Sequence, residues 1–202
     1  MFDKLLSLLG IGKKGGYSAD YYEELPMYDY VSKSAHAMEA HGDLEKMHQL
    51  EAQLKGFPSF VRASFANDGD LPPVVPCRDM LPELYMRFGR WGDAENVIML
   101  CISCGAYGHT EYKGSRDHNG KWVSESGDEQ LALLNQRREA ASAALSYLAD
   151  NPGSLQSKIY KVPALSGVDH DALVWFCRSS HQIRKEKDGK TNRLYIAGEV
   201  CQ

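Results

Sequence analysis

The residue pattern nearest to a reactive centre is the cysteine pair of Cys101-Ile-Ser-Cys104, which His109 follows. Two cysteines at this spacing can form a redox-active dithiol or supply half of the ligands of a structural zinc ion. A reactive dithiol needs its first cysteine at a helix N-terminus, whereas Cys101 falls at the end of a predicted helix. The other zinc ligands could come only from Cys177 and His181, far along the chain. We therefore expect buried core cysteines and no metal site, with dithiol and zinc chemistry as the alternatives.

Sequence patterns of other enzyme classes are missing. The chain contains no phosphate-binding loop, dinucleotide fingerprint, nucleophile elbow or HExxH sequence. Its seven histidines are scattered along the sequence, and a scattered surface histidine rarely has a catalytic role. The sequence thus predicts no catalytic residues, no cofactor and a function other than catalysis.

The second pattern that could bind a ligand is a basic β-hairpin predicted around Asp188-Gly189. This dipeptide is typical of a two-residue type I′ turn, which fixes the register of the two strands. Two arginines would then face each other, which is unfavourable unless an anion such as a phosphate lies between them. The alternative is that both side chains extend into water. The predicted opposed pairs are Lys187 with Lys190, Arg184 with Arg193 and Ile183 with Leu194, and the predicted apolar face carries Ile183, Leu194 and Ile196.

Three helices are predicted before this hairpin. Ser126 and Glu129 have the spacing of a capping box at the start of the first helix. Asp169 is the predicted N-cap of the third helix, because an aspartate at that position accepts a hydrogen bond from the first turn. The predicted ranges of the three helices are about 128–149, 154–161 and 169–181.

This order of three helices and a basic hairpin resembles the winged helix-turn-helix family over residues 128–202. In that family the third helix lies in the major groove of DNA, and the resemblance implies that the hairpin is the wing. Double-stranded DNA is therefore the expected partner. The residues that the resemblance implies for DNA contact are Gln156, Ser157, Lys158, His170, Val174, Arg178, Arg184, Lys185, Lys187, Lys190 and Arg193.

Three further residues of the third helix bear on the partner. Asp169 and Asp171 place two carboxylates at the helix end that would approach DNA, where they would repel phosphates. Capping explains Asp169 but does not explain Asp171. Trp175 is a predicted interface residue, since an exposed tryptophan favours a protein partner. A Trp175 packed on the preceding helices would instead belong to the core.

Positive charge is concentrated in the same region of the sequence. Residues 151–202 contain eight Lys and Arg against five Asp and Glu, a net charge of +3. The whole chain carries −4, so residues 1–150 carry −7. A basic patch of this size makes few phosphate contacts, and DNA binding therefore predicts a dimer that presents two such patches.

Residues 28–107 resemble tetratricopeptide-type helical hairpins. The best match runs from Leu81-Pro-Glu-Leu-Tyr85 to the turn Gly89-Arg-Trp-Gly92 and the helix after it. An earlier hairpin is predicted around Gly42-Asp43. The sequence departs from the family pattern at Arg78, which stands in place of an aromatic residue. An irregular helical layer is therefore the expected structure of this region.

The remaining segments are an amphipathic N-terminus at 1–27 and a polar linker at 108–127. Phe2, Leu5 and Leu9 form an apolar side that we expect to dock on the protein itself or on a neighbouring subunit, with a membrane surface as the alternative. The linker contains the turn signal Asn119-Gly120. No segment has the ~20 apolar residues that span a bilayer. Five cysteines at uneven spacing indicate reduced thiols, so a cytoplasmic protein is expected.

The sequence thus predicts a mainly α-helical protein. It combines an irregular, tetratricopeptide-like N-terminal region with a winged-helix C-terminal domain that carries a β-hairpin wing. The expected function is DNA binding by a transcriptional regulator that acts as a dimer. The alternative is a protein-interaction adaptor, in which the winged helix and the helical hairpins serve assembly with a second copy or another protein.

Overall fold

The computed structural model describes residues 26–68, 71–72, 75–107 and 126–198. The predicted apolar residues Phe2, Leu5 and Leu9, His109 and the linker turn Asn119-Gly120 lie outside these residues. In the described part the chain is mainly α-helical and has a small antiparallel sheet near its C-terminus, as predicted.

The chain divides into two compact units. The N-terminal unit contains the described residues up to Leu84 together with those from Asn96 to Gly127. The C-terminal unit contains Tyr85–Glu95 and the described residues from Asp128 onward. The predicted helical region 28–107 is thus divided between the two units.

The N-terminal unit is built from helices that bury apolar residues. α1 and α2 form the earlier of the two predicted helical hairpins. The Tyr30 ring of α1 stacks on the Phe60 ring of α3 with 4.1 Å between ring centroids. α5 and α6 are separated by a tight turn at Phe88–Arg90, whereas the predicted turn extended from Gly89 to Gly92; Trp91 and Gly92 belong to α6. α5 begins in the N-terminal unit and ends in the C-terminal unit, and α6 begins in the C-terminal unit and ends in the N-terminal unit. The helices are α1 (Pro26–Glu39), α2 (Asp43–Glu51), α3 (Phe57–Asp68), α4 (Pro76–Asp79), α5 (Leu81–Arg87) and α6 (Trp91–Ser103).

The C-terminal unit has the order helix, strand, helix, helix and β-hairpin. Its elements are α7 (Gly127–Asp150), β1 (Ser154–Leu155), α8 (Gln156–Ile159), a 3-10 turn (Pro163–Leu165), α9 (His170–Ser179), β2 (Ile183–Asp188) and β3 (Thr191–Ile196). The strand order is β1–β3–β2, with both pairs antiparallel. The predicted second helix is too long at its start, because Ser154 and Leu155 pair with Leu194 and Arg193 of β3 instead.

A single apolar core holds this unit together. α7 contributes mainly alanines on its inner face, which allow close approach of the neighbouring elements. Phe176 and Leu194 are fully buried against that face, and Trp91 from the start of α6 packs on the same core. The other buried members include Ala140, Ala144, Leu148, Ile159, Leu173 and Ile183.

Hydrogen bonds explain why Tyr85–Glu95 belongs to the C-terminal unit. The Arg87 carbonyl accepts from the His181 backbone N–H at 2.8 Å and from the Ser180 hydroxyl at 3.3 Å. The Phe88 ring stacks on the His181 ring with 4.4 Å between centroids. The turn between α5 and α6 is therefore fastened to the segment that joins α9 to the hairpin.

The predicted register of the hairpin is wrong by two residues. The strands are closed by the pair Asp188 and Thr191, so the central turn residues are Gly189 and Lys190. Gly189 has φ +58° and no described residue other than glycine has positive φ, which excludes the two positive φ angles of a type I′ turn. Glycine at the first central position supplies the one positive φ that this turn requires.

A shift of two residues keeps each side chain on its predicted face of the sheet, because the side-chain period of a strand is two. Ile183 and Leu194 are accordingly buried on the side of the core. Ile196 lies on the same face, but 43% of it is exposed, so the buried part of that face ends before it.

Gly153 joins α7 to β1 in a backbone conformation that disfavours any side chain. Its φ is +76°, its N–H donates to the Leu194 carbonyl at 2.9 Å, and an added Cβ would lie 3.0 Å from the Tyr195 hydroxyl oxygen. We expect Gly153→Ala to lower the free energy of unfolding by about 1–3 kcal/mol, through left-handed strain and displacement of the Tyr195 ring. Urea denaturation followed by circular dichroism measures this change.

Gly167→Ala is the matched control, because a Cβ added at Gly167 meets nothing within 4 Å. We expect it to change the free energy of unfolding by less than about 0.5 kcal/mol. Equal losses in the two variants would contradict a special role for Gly153.

Candidate nucleic-acid interface

Helix α9 buries one face and presents the opposite face to solvent. Ala172, Leu173, Phe176 and Cys177 are buried on the inner face. Asp171 and Arg178 are exposed, and Val174 and Trp175 between them are half-buried. The sequence therefore places an acidic, an apolar and a basic side chain along the exposed surface of this helix.

The predicted N-cap of α9 is confirmed. The Asp169 carboxylate accepts a hydrogen bond from the Ala172 backbone N–H at 2.8 Å. This bond uses the Asp169 carboxylate to satisfy a free N–H of the first helical turn.

Removal of this cap has a measurable cost. We expect Asp169→Ala to lower the free energy of unfolding by about 1 kcal/mol, whereas Asp169→Asn keeps the cap and stays close to the parent protein. Thermal or urea denaturation distinguishes the two variants. If both variants lost the same stability, the charge of Asp169 and not its hydrogen bond would be the cause.

A chain of polar contacts connects β3 to α9 through α8. The Asn192 amide donates to the Gln156 side-chain oxygen at 2.9 Å, and the Gln156 amide donates to the Tyr160 hydroxyl at 2.9 Å. Burial raises the pKa of Tyr160, and its hydrogen bonds with Gln156 and Arg178 partly oppose that rise. Gln156, a predicted DNA contact, therefore has its side-chain amide engaged in holding the hairpin to the helices.

The Tyr160 ring also contacts His170, a second residue that was predicted to contact DNA. His170 meets that ring in an edge-on arrangement with 5.8 Å between centroids. His170 is exposed, but it lies beside α8 and not at the centre of the exposed face of α9. Ser157 and Lys158, on α8, are exposed to solvent.

Lys185 fastens the hairpin to the end of α9. Its ammonium group donates to the Arg178 carbonyl at 2.5 Å, which satisfies a carbonyl of the last helical turn. Partial burial lowers the pKa of Lys185. The positive charge of Lys185 is therefore partly committed to the helix end.

The two hairpin arginines do not face each other, contrary to the sequence prediction. Arg184 lies opposite Tyr195, stacks on its ring at 4.8 Å and pairs with Glu186. Arg193 lies opposite Glu186, pairs with Asp188 at 2.9 Å and donates to the Gly153 carbonyl at 3.2 Å. Because carboxylates already neutralise both guanidinium groups, the structural reason for an anion between them disappears.

Other exposed cations of the C-terminal unit are not neutralised in this way. Lys158, Arg178, Lys187 and Lys190 are exposed, and within the described part of the chain no salt bridge within 4.0 Å involves them. Lys161 shares these properties, although the sequence analysis did not select it. Its signal was its position three residues after Lys158 in the same short segment.

Trp175 packs within its own unit. The Arg137 guanidinium of α7 lies over the Trp175 ring at 4.2 Å from the centroid, and the ring borders the apolar core. Its indole N–H is buried and has no hydrogen-bond acceptor among the described residues. Trp175 is half-buried, which agrees with its packing on the preceding helix, and its role at an interface stays a prediction.

The four cysteines that the structure describes are buried (Cys77, Cys101 and Cys177) or half-buried (Cys104), which agrees with the expected core cysteines. Cys101 is fully buried and Cys104 is half-buried, and burial raises the pKa of both thiols. Burial likewise raises the pKa of Cys177 to about 11. The thiols are therefore poorly suited to attack as thiolates at neutral pH. Among the described residues, no three His, Cys, Asp or Glu side chains converge as a metal site.

Comparisons with known proteins do not indicate a function for this chain. Within residues 26–68, 75–107 and 126–198, no helix has the length and apolarity needed to cross a membrane. Comparisons with protein-family models, with curated proteins and with solved structures found no match. A functional proposal for this chain therefore depends on its own geometry and charge.

Proposed function

We propose that the C-terminal unit is a winged helix-turn-helix domain that binds double-stranded DNA. The observation that supports this most is the pairing of β1 with β3, which puts a third strand beside the hairpin in the order helix, strand, helix, helix, hairpin. In this arrangement α9 takes the place of the recognition helix and β2–β3 takes the place of the wing. α9 would enter the major groove with its exposed face.

The charges around that face favour a polyanion. Lys187 and Lys190 are exposed at the tip of the hairpin, and Arg178 is exposed on α9. The acidic residues Glu186 and Asp188 of the same hairpin are paired with arginines and compensate those arginines instead of the lysines. Phosphates of a duplex would therefore meet α9 and the wing tip, and not the face of the sheet that carries Arg184 and Arg193.

The exposed aromatic content favours a duplex over a single strand. Proteins that bind single strands use exposed aromatic rings on which bases stack. In the described part of the chain every Phe, Tyr and Trp for which burial is given is buried or half-buried. The chain offers charge and a helix for a groove, but it lacks a stacking platform in that part.

The number of available cations sets the expected affinity. Four phosphate contacts in each copy, from Lys158, Arg178, Lys187 and Lys190, give a slope of log K against log salt of about −3.6 for one bound copy. One such patch binds weakly at physiological salt, so we propose that two copies bind together, with their α9 helices about 34 Å apart on one face of the duplex.

Fluorescence anisotropy with a labelled random duplex of about 20 base pairs tests this proposal. The full chain is titrated between 50 and 300 mM salt, and a single strand of the same composition is the comparison. We expect binding to the duplex that is stronger than binding to the single strand and that weakens with salt at the slope above for each bound copy, which is about −7.2 for two copies. Absence of duplex binding at micromolar protein in 50 mM salt would overturn the proposal.

A further inference from the structure

Strand β2 forms one edge of the small sheet of the C-terminal unit. In the order β1–β3–β2, it pairs with β3 on one side only. Its six residues pair with β3 in one continuous register, without a bulge or a proline. Arg184, Lys185, Glu186 and Lys187 are all exposed, so no element within the described part of the chain covers this stretch of the edge. An uncovered edge of this kind can accept a further strand.

The register shows which backbone groups this edge offers. Residues of an antiparallel strand alternate between those that bond to the paired strand and those whose N–H and C=O point away from it. The Ala197 N–H donates to the Gln182 carbonyl at 2.9 Å, so Gln182 and every second residue after it bond to β3. Lys185 and Lys187 therefore direct their backbone N–H and C=O groups outward, where an added strand can bind them.

The side chains of these two residues select the chemistry of that strand. Lys185 and Lys187 lie on the same face of β2, because the side-chain period of a strand is two. The Lys185 ammonium has three donors, of which the Arg178 carbonyl accepts one. Lysines on an edge repel basic strands and pair with acidic residues directly opposite them. A strand with acidic residues at two alternate positions therefore matches this edge.

A second copy of β2 does not match it. Antiparallel pairing of two such edges joins outward residues to outward residues, so the two-fold axis passes through a residue and places that residue opposite itself. For Arg184, Lys185, Glu186 and Lys187 this means two like charges at the axis, which is destabilising. The strand that fits the edge is therefore a segment of a different protein.

We propose that the edge of β2 binds an extended segment of another protein as an antiparallel fourth strand, with acidic residues opposite Lys185 and Lys187. Backbone hydrogen bonds hold the segment, and the two lysines select it by charge. This inference goes beyond the proposed function and does not depend on it, although Lys187 is shared with the proposed DNA surface.

NMR titration of the isotope-labelled full chain with the peptide acetyl-Thr-Val-Glu-Thr-Glu-Val-Thr-amide tests the proposal. The two glutamates occupy alternate positions, and their N–H groups face β2 in the proposed pairing. One control peptide carries N-methyl groups on both glutamates, which removes those N–H groups and keeps the charges. The matched control carries N-methyl groups on both valines, whose N–H groups point away from β2.

The proposed pairing predicts slower hydrogen exchange at specific backbone amides. At saturation with the parent peptide, the Lys185 and Lys187 amides exchange at least about 10-fold more slowly, which corresponds to one new hydrogen bond each. The Arg184 and Glu186 amides slow less, because they already bond to β3. Methylation of the glutamates weakens binding about 5-fold or more, whereas methylation of the valines leaves the affinity within about two-fold of the parent peptide.

Two charge-reversal variants of the protein test the role of the edge lysines. Lys187→Glu places a like charge opposite the peptide and weakens binding about 5-fold or more. Lys161→Glu changes the net charge by the same amount at an exposed lysine outside the hairpin, and its affinity stays within about two-fold of the parent protein. The methylated peptides leave the protein unchanged, so the main test does not depend on the folding of a variant.

Three outcomes would overturn this inference. Equal affinities of the two methylated peptides would mean that charge alone binds the peptide. Unchanged exchange of the Lys185 and Lys187 amides at saturation would exclude an added strand, and so would the absence of binding at millimolar peptide. Each of these outcomes leaves the proposed DNA binding intact, because no DNA is present. Absence of duplex binding in the anisotropy titration, conversely, leaves this inference standing.

Discussion

Replacement of Lys187 and Lys190 by alanine is expected to weaken the binding of each copy to the duplex about 60-fold at 0.1 M salt. The two residues lie at the tip of the hairpin, and Lys187 faces the uncharged Asn192 across the strands. Each lost phosphate contact reduces the slope of log K against log salt by about 0.9, so the double variant loses about 1.8 from that slope for each bound copy. Anisotropy titrations at four or more salt concentrations measure both quantities.

Arg184→Ala combined with Glu186→Ala is the matched control on the same hairpin. The two side chains form an ion pair, so their joint removal leaves the net charge unchanged. We expect the affinity to stay within about two-fold of the parent, because exposed ion pairs contribute little and leave little field beyond a Debye length. A larger loss in this control than in the lysine variant would contradict the proposed location of the interface.

The register of the hairpin explains why the sequence alone gave Arg184 and Arg193 the wrong neighbours. The dipeptide Asp188-Gly189 indicates a turn, but one glycine can supply the positive φ angle for either of two neighbouring turns. Two hydrogen bonds to residues distant in the sequence accompany the observed register. The Arg193 guanidinium donates to the Gly153 carbonyl, and the Asn192 amide donates to the Gln156 side-chain oxygen. The predicted register placed the two arginines opposite each other, and an anion between them was inferred from that. Their ion pairs with Glu186 and Asp188 could not be inferred from the turn.

Local signals predicted the C-terminal helices better than the strand between them. α9 begins after Asp169, as the capping signal indicated, and the Ala172 N–H confirms that cap. β1 has only two residues, which is too short for the alternation that identifies a strand in a sequence. Its strand conformation comes from pairing with β3, which is almost forty residues away.

Helix α3 of the N-terminal unit was not predicted from the sequence. Phe57, Phe60, Val61 and Ser64 are buried at steps of one, three and four residues, which is the pattern of an amphipathic helix. The resemblance to helical hairpins predicted two turns, and it predicted no helix in the stretch between them that contains α3. The division of the chain at Leu84 also depends on contacts, such as that of Trp91 with the C-terminal core, that no local pattern encodes.

The placement of the cations limits the part of the C-terminal unit on which the proposed DNA surface can lie. The sequence predicted one continuous basic surface, whereas the structure separates neutralised arginines from exposed lysines. Because Lys185 donates to the end of α9 and Gln156 donates to Tyr160, the hairpin and α9 form one supported surface. Such support favours a defined position of α9 against a partner, which sequence-selective binding needs and nonspecific charge attraction does not.

The buried charge pair of the N-terminal unit is expected to carry the largest stability effect in the chain. Arg78, which departs from the tetratricopeptide pattern, has a side chain only 1% exposed and pairs with Asp79 at 2.5 Å. Arg78 also donates to the Ala106 carbonyl at 3.2 Å, and Asp79 accepts from the Val75 N–H at 2.7 Å. We expect Asp79→Ala to lower the free energy of unfolding by about 3–5 kcal/mol, because a buried guanidinium loses its counter-ion.

Urea denaturation of Asp79→Ala, Asp93→Ala and the double variant Arg78→Met with Asp79→Ala checks this expectation. Asp93 pairs with Arg90 at 2.7 Å, but those side chains are 45% and 39% exposed, so its loss should cost under about 1 kcal/mol. The double variant should recover part of the stability lost in Asp79→Ala, because an apolar side chain replaces the buried charge. If Asp79→Ala cost no more than Asp93→Ala, the Arg78 charge would be compensated by its other contacts. If the double variant were less stable than Asp79→Ala, the guanidinium itself would stabilise the core even without that carboxylate.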